Sequence, residues 1–297
     1  MYATADSPQI ALKAIVYATD FSPCSENAGR IASLLARKLG TELVVSHSFL
    51  LTQAAMEVEM QTVPAGKSLQ RRDLETALSS AAQRFGEGVK QVTQVLLEGD
   101  PRERIPVLAQ KYAPSMLVMG TSGRGRIERG LVGSVAERIL RAHDGPSLAV
   151  GPHVHAFDPS GNPFRRILYA TDLPPLAAQA ATYATGIADA FDAEIDVLHV
   201  IHAEDQKHPD RLNKIQSEFD QILEEMASQH DREIRRPKGF VEAGTAHERI
   251  LEHMRDFSID LLVLAIRRST HLWLQARLSG AFQIIAEAQC PVLTVTG

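Results

Sequence analysis

The sequence predicts an α/β protein built from two tandem, doubly wound parallel-sheet domains. Three observations predict it. First, three segments recur in the same order. Lys13–Asp20 (KAIVYATD) returns as Arg166–Asp172 (RILYATD), Leu97–Gly99 with Glu103-Arg104-Ile105 returns as Val241–Gly244 with Glu248-Arg249-Ile250, and Gly145–Val150 returns as Cys290–Val295. A spacing near 145–152 residues is too long for a solenoid repeat and suits tandem domains. Second, strand-like and helix-like runs alternate within each copy, the pattern of βαβ units. Third, most of the strand-like runs are short and continuously apolar, which a sheet covered by helices on both faces requires. The expected division is residues 1–152, a linker at 153–163 rich in Gly and Pro, and residues 164–297.

In the first copy Ala14–Thr19 reads as a strand. Cys24–Leu39 reads as a helix, with Ser22 placed to cap it, Pro23 at its first position and Gly40 just past its end. Glu42–Ser48 is a second strand, and Gln53–Gly66 a connection of ambiguous type. Leu69–Phe85 is a helix, Val92–Leu97 a strand, Arg102–Tyr112 a helix, Ser115–Met119 a strand, Ser134–Arg141 a helix and Ser147–Val150 the fifth strand. In the second copy, strands fall near Ile167–Thr171, Glu194–Val200, Phe240–Glu242, Leu261–Ala265 and Val292–Val295.

Composition excludes several classes. A net charge of −5 argues against an electrostatic nucleic-acid binder. Two cysteines, Cys24 and Cys290, cannot form a disulfide framework and suit a reducing cytoplasm. No apolar run approaches the ~18 residues of a membrane span. The first residues show no basic-then-apolar leader.

The chemistry concentrates at Gly120-Thr121-Ser122-Gly123, with Gly133-Ser134 following. Spaced glycines running from a strand into a helix start offer free amides and the positive end of a dipole to an anion, most naturally phosphate. In an open parallel sheet the ligand sits beyond the carboxyl ends of the strands, where strand order reverses. Asp20 ends the first strand and Gly120 the fourth, so both would face one crevice if those strands are neighbours. Asp20 would then accept from a ribose hydroxyl or a base amino group, while Gly120, Gly123, Gly133 and Ser134 donate to phosphates. The bland alternatives are a turn at the glycines, a capping role for Asp20 and solvated side chains at Arg124, Arg126 and Arg129. No Gly-x4-Gly-Lys-(Ser/Thr) run is present, so no P-loop lysine is available. No base stands near the loop in sequence. The histidine pairs His199/His202 and His247/His253 lack the spacing and cysteine partners of a zinc site. Leu272-Trp273-Leu274 reads as packing rather than as a partner patch.

At these residues the chain resembles the tandem universal stress proteins. The family's nucleotide motif is Gly-x2-Gly-x9-Gly-(Ser/Thr), and Gly120, Gly123, Gly133 and Ser134 match every position. Ala-Thr-Asp20-Phe-Ser resembles the family's opening. The resemblance implies Rossmann-like domains of strand order 3-2-1-4-5, with ATP and Mg²⁺ at the switch point. It implies adenine near Ala18, Thr19, Asp20 and Ser48, the last being a departure from the usual aliphatic residue. It also implies that Met119, Thr121, Ser122 and Val135 line the pocket. Tandem members are expected to pair their fifth strands within one molecule as a pseudo-dimer.

The second copy departs from the motif. Without gaps, Gly120 corresponds to Ala265, Gly123 to Arg268 and Gly133 to Leu278, while Ser279 and Asp172 are kept. One ATP per chain is therefore expected, in the first half. The expected function is a cytoplasmic ATP-binding stress-response or regulatory protein with little or no catalysis. A slow ATPase or self-phosphorylating enzyme and a nucleotide-free interaction scaffold remain open. Expected partners are an adenine nucleotide, proteins the sequence does not name and a second copy in a homodimer, with neither nucleic acid nor membrane.

Overall fold

A computed structural model of the chain describes residues 10–50, 69–123, 131–155, 161–173, 177–228, 236–266 and 272–296. The ambiguous connection at 53–66 lies outside them, as do Arg124, Arg126 and Arg129. In the first copy the elements are β1 (Ala14–Ala18), α1 (Pro23–Leu39), β2 (Glu42–Phe49), α2 (Leu69–Gly86), β3 (Val92–Glu98), α3 (Pro101–Lys111), β4 (Ser115–Gly120), α4 (Ser134–Ala142) and β5 (Ser147–Val150). The second copy has β6 (Arg166–Ala170), α5 (Ala177–Phe191), β7 (Glu194–Ile201), a 3-10 turn at Asp205–Lys207, α6 (Pro209–Ser228), β8 (Lys238–Ala243), α7 (Ala246–Asp256), β9 (Leu261–Ile266), α8 (Leu272–Glu287) and β10 (Val292–Thr296).

The strand order of the first copy is β3-β2-β1-β4-β5, and the second repeats it as β8-β7-β6-β9-β10. The registered pairs within each copy are parallel, as βαβ connections demand. Central β1 is wholly buried from Ala14 to Tyr17, whereas edge strand β3 is largely half-exposed. The chain divides into two compact units, one of Leu12–Ile127 with Gly133–Ser147, the other including Leu148–Gly297. The second unit therefore takes in the linker region as well as the second copy.

Local chemistry sets the element that positions the site. Ser22 Oγ accepts the Ser25 amide at 3.2 Å, Pro23 occupies the first turn of α1, and Gly40 closes the helix at φ 66°. The helix N-terminus is thereby fixed directly after the carboxyl end of β1. Strands β1 and β4 are neighbours, with Ala18 opposite Met119. Asp20 and Gly120 consequently share the crevice where strand order reverses.

Candidate functional site

The described residues that the sequence assigns to the nucleotide site lie in the first unit. Ala18 and Met119 are register partners at the strand ends, and Met119 is buried. Thr19 is buried, and its Oγ1 accepts the Phe21 amide at 2.9 Å and bonds the Ser25 hydroxyl at 3.0 Å. Asp20 Oδ1 accepts the Ser22 amide at 3.0 Å, leaving Ser22 as the cap of α1. The other carboxylate oxygen of Asp20 faces the glycine loop: a Cβ added to Gly123 would stand 2.9 Å from Oδ2.

The glycines do different jobs. A Cβ at Gly120 would meet the α1 backbone at 2.8–3.0 Å, at Ser25 N, Cys24 C and Ser25 Cα. This glycine lets β4 pack against α1; the side-chain space is filled by protein backbone. Gly133 caps α4, and its own N–H donates to Thr121 O at 2.9 Å. That amide, which the sequence reading offers to phosphate, is engaged inside the loop in this structure. The amides of Ser134, Val135 and Ala136 open α4 and have no partner within the helix. Ser134 and Val135 are exposed. The open amides of the helix start thus begin one residue later than the glycine itself.

Three further groups hold the site, and residue-by-residue reading missed them. Ser22 Oγ donates to Ser122 O at 3.2 Å, tying the start of α1 to the glycine loop. The Cys24 thiol lies against Thr121 and Ser122, and burial pushes its pKa up, so it stays protonated. His47 Nδ1 lies 2.7 Å from Thr19 O. A carbonyl only accepts, so Nδ1 carries the proton. The same ring packs on Phe21, which adopts φ 59°, at 4.6 Å between centroids. Ser48 Oγ donates to Gly99 O at 2.8 Å, so this hydroxyl joins the ends of β2 and β3.

The repeat held the missed signal. His199 Nδ1 lies 2.8 Å from Thr171 O, and Thr171 Oγ1 accepts the Leu173 amide at 3.1 Å, with Leu173 at φ 66°. The strand-end turn is therefore built twice, with a histidine 28 residues after the threonine each time. The glycine loop is not built twice. Thirteen residues separate β4 from α4, whereas five separate β9 from α8. In the second copy helix has replaced most of the loop. Leu272-Trp273-Leu274 forms the start of that helix.

Among the described residues, no three His, Cys, Asp or Glu side chains are placed to hold a metal ion. No described helix is long and apolar enough to cross a membrane. The second copy does hold a buried polar cluster that the sequence did not reveal. Asp196 and His253 side chains are fully buried, with His253 Nε2 3.4 Å from Asp196 Oδ2 and Nδ1 3.3 Å from Glu242 Oε1. Arg166 Nε lies 3.3 Å from the same Asp196 oxygen.

The profile of the Universal stress protein family matches this chain twice, at residues 11–151 and 163–296. A universal stress protein of Methanocaldococcus jannaschii is 44% identical over 63 residues, which are 21% of this chain and 36% of that protein. The match thus spans about a third of that relative. A second from the same organism is 23% identical over 152 residues, covering 46% of this chain and 94% of its own. The crystal structure of a universal stress protein from Archaeoglobus fulgidus superposes with TM-score 0.74 at 18% identity, covering 96% of this chain and 99% of that one. That likeness shows the fold across both copies, and the profile match shows the lineage: the chain belongs to the universal stress protein family.

Proposed function

We propose that the protein is an ATP-binding regulatory member of its family, with one nucleotide, accompanied by Mg²⁺, held by the first unit. One observation carries this reading. Asp20 Oδ2 faces Gly123 at the switch point, and Thr121 of the same loop pins the cap of α4, whose first amides are open. A carboxylate for a ribose and a helix start for phosphates thus stand at one crevice. Ala18, Thr19, Ser48 and Met119 supply its base-side wall. Thr121, Ser122, Ser134 and Val135 supply the phosphate side. The shortened loop before α8 supports a single site per chain.

Mass spectrometry of the small molecule that copurifies with the protein, followed by calorimetric titration, tests the proposal. The expected result is an adenine nucleotide and one ATP bound per chain. Asp20→Ala should weaken binding by tenfold or more, since a charge-assisted hydrogen bond contributes ~1.5–3 kcal/mol. Asp172→Ala should leave it unchanged. No binding, or two equal sites, would overturn the reading.

One observation favours a second, self-phosphorylating activity. Thr121 and Ser122 are 1% and 4% exposed, whereas the Ser134 hydroxyl, at the first residue of α4, is exposed. Radiolabel transferred from ATP to wild type but not to Ser134→Ala would establish it.

A further inference from the structure

The second unit contains a cavity of about 660 Å³ that the nucleotide reading does not use. It lies at the amino ends of strands, where Arg165 precedes β6, Asp260 precedes β9 and Pro291 precedes β10. Asp172 is at the opposite, carboxyl end of β6. The size falls in the range of small-molecule pockets, roughly 300–1,000 Å³. The linker residues Val154 and Pro163 contribute to its lining, so the cavity is formed where the chain enters the second copy.

Its floor is apolar, with Leu251, Met254 and Ile259; Met254 and Ile259 are buried. Its polar groups are unequal. The carboxylates are engaged: Asp260 Oδ2 accepts the amides of Arg165 and Arg166 at 2.9 and 3.1 Å, and Glu287 lies 3.3 Å from His247 Nε2. The cations are less engaged. Arg255 donates through Nε to Leu251 O at 3.2 Å, and among the described residues its terminal nitrogens carry no hydrogen bond. The Arg165 guanidinium stands off at 4.0 Å from Asp260 Oδ2 through Nε, and that side chain is 80% exposed. An apolar floor with guanidinium donors at its rim fits an anion with an apolar body. The two engaged carboxylates nearby disfavour a dianion, and the planar guanidinium fork matches a carboxylate. In the first copy the positions of Met254, Arg255 and Asp260 are Ala109, Gln110 and Ser115, so the site belongs to the second copy alone.

We infer that this cavity binds a small monocarboxylate with an aliphatic or aromatic body, independently of the nucleotide crevice. Calorimetric titration of the full chain with octanoate and with octanol, each with and without saturating ATP, tests it. Octanoate should bind with one site per chain, octanol at least tenfold more weakly, and ATP should leave the octanoate affinity unchanged. Arg255→Gln, an exposed substitution, should weaken octanoate by about tenfold while leaving octanol unchanged. Leu251→Trp, which fills the floor, should abolish binding of both, with circular dichroism confirming the fold. Absence of octanoate binding at millimolar concentration, equal affinity for the alcohol, or an unaffected Arg255→Gln variant would each overturn the inference. These readouts do not require the nucleotide proposal to hold.

Discussion

Gly120 and Gly133 stand in one motif but answer to different neighbours. The hydrogen at Gly120 faces α1 backbone, which cannot yield as a side chain can. Gly120→Ala should therefore destabilise the first unit by about 1–3 kcal/mol through overpacking, read as a lower urea midpoint. A Cβ at Gly133 meets a single atom, Thr121 O, at 3.0 Å. Gly133→Ala should cost less stability and instead disturb the cap of α4 and the nucleotide affinity. His47 illustrates the complementary case, a residue that fixes the Thr19 carbonyl and thereby the direction of Asp20. His47→Ala should weaken ATP binding severalfold with little change in urea midpoint, since one neutral hydrogen bond contributes ~1 kcal/mol. The motif glycines were legible because glycine spacing is a linear signal. The division of labour among them was not, because it depends on a helix that comes almost a hundred residues earlier.

At the scale of elements, α7 matches its counterpart α3 in length but not in what it packs on. The first copy has Val44, Leu97 and Leu108 where the second has Asp196, Glu242 and His253. Thus α7 meets β7 and β8 through polar side chains where α3 has an apolar one. A buried carboxylate offsets its desolvation only when its partners are present, and among the described residues Asp196 Oδ1 has no hydrogen-bond partner. His253→Ala should destabilise the second unit by about 1–3 kcal/mol, since it leaves a buried carboxylate oxygen short of a partner. Replacing the trio by Val, Leu and Leu together with Arg166 by Ala, as in the first copy, should be neutral or stabilising. Thermal unfolding of both variants distinguishes these outcomes. Helix boundaries themselves were legible to within one or two residues in the first copy. Caps such as Ser22, Pro23 and Gly40 act over a few residues, so sequence contains them. The early start of α8 was not legible, since Ser269 and Thr270 precede it without a helix-starting Pro such as the one that follows Ser22.

At the scale of the molecule, the two copies share an alkaline liability. Burial raises Tyr17 and its counterpart Tyr169 from 10.0 to about 12. A tyrosine that ionises near pH 10 when unfolded but near 12 when folded contributes stability in full below pH 10, and loses it as pH rises to 12. Stability should fall across that window, and Tyr17→Phe with Tyr169→Phe should flatten the fall, although Tyr17→Phe also removes the hydroxyl bond to Ser25 O at 2.7 Å. Denaturant midpoints measured from pH 8 to 12 check this.

The sequence by itself determined that the chain is two copies of a βαβ unit, which residues begin and end the helices of the first, and where a glycine-spaced loop runs from a strand into a helix start. These properties reside in periodicity, local capping and glycine spacing, all of which act over short stretches of chain. Tertiary structure decided which atom each glycine must avoid, that His47 and His199 hold the strand-end turns, and that polar side chains replace apolar packing under α7. Those outcomes depend on pairs far apart in sequence, such as Gly120 with Ser25 and Asp196 with His253, whose proximity only the packed sheet creates.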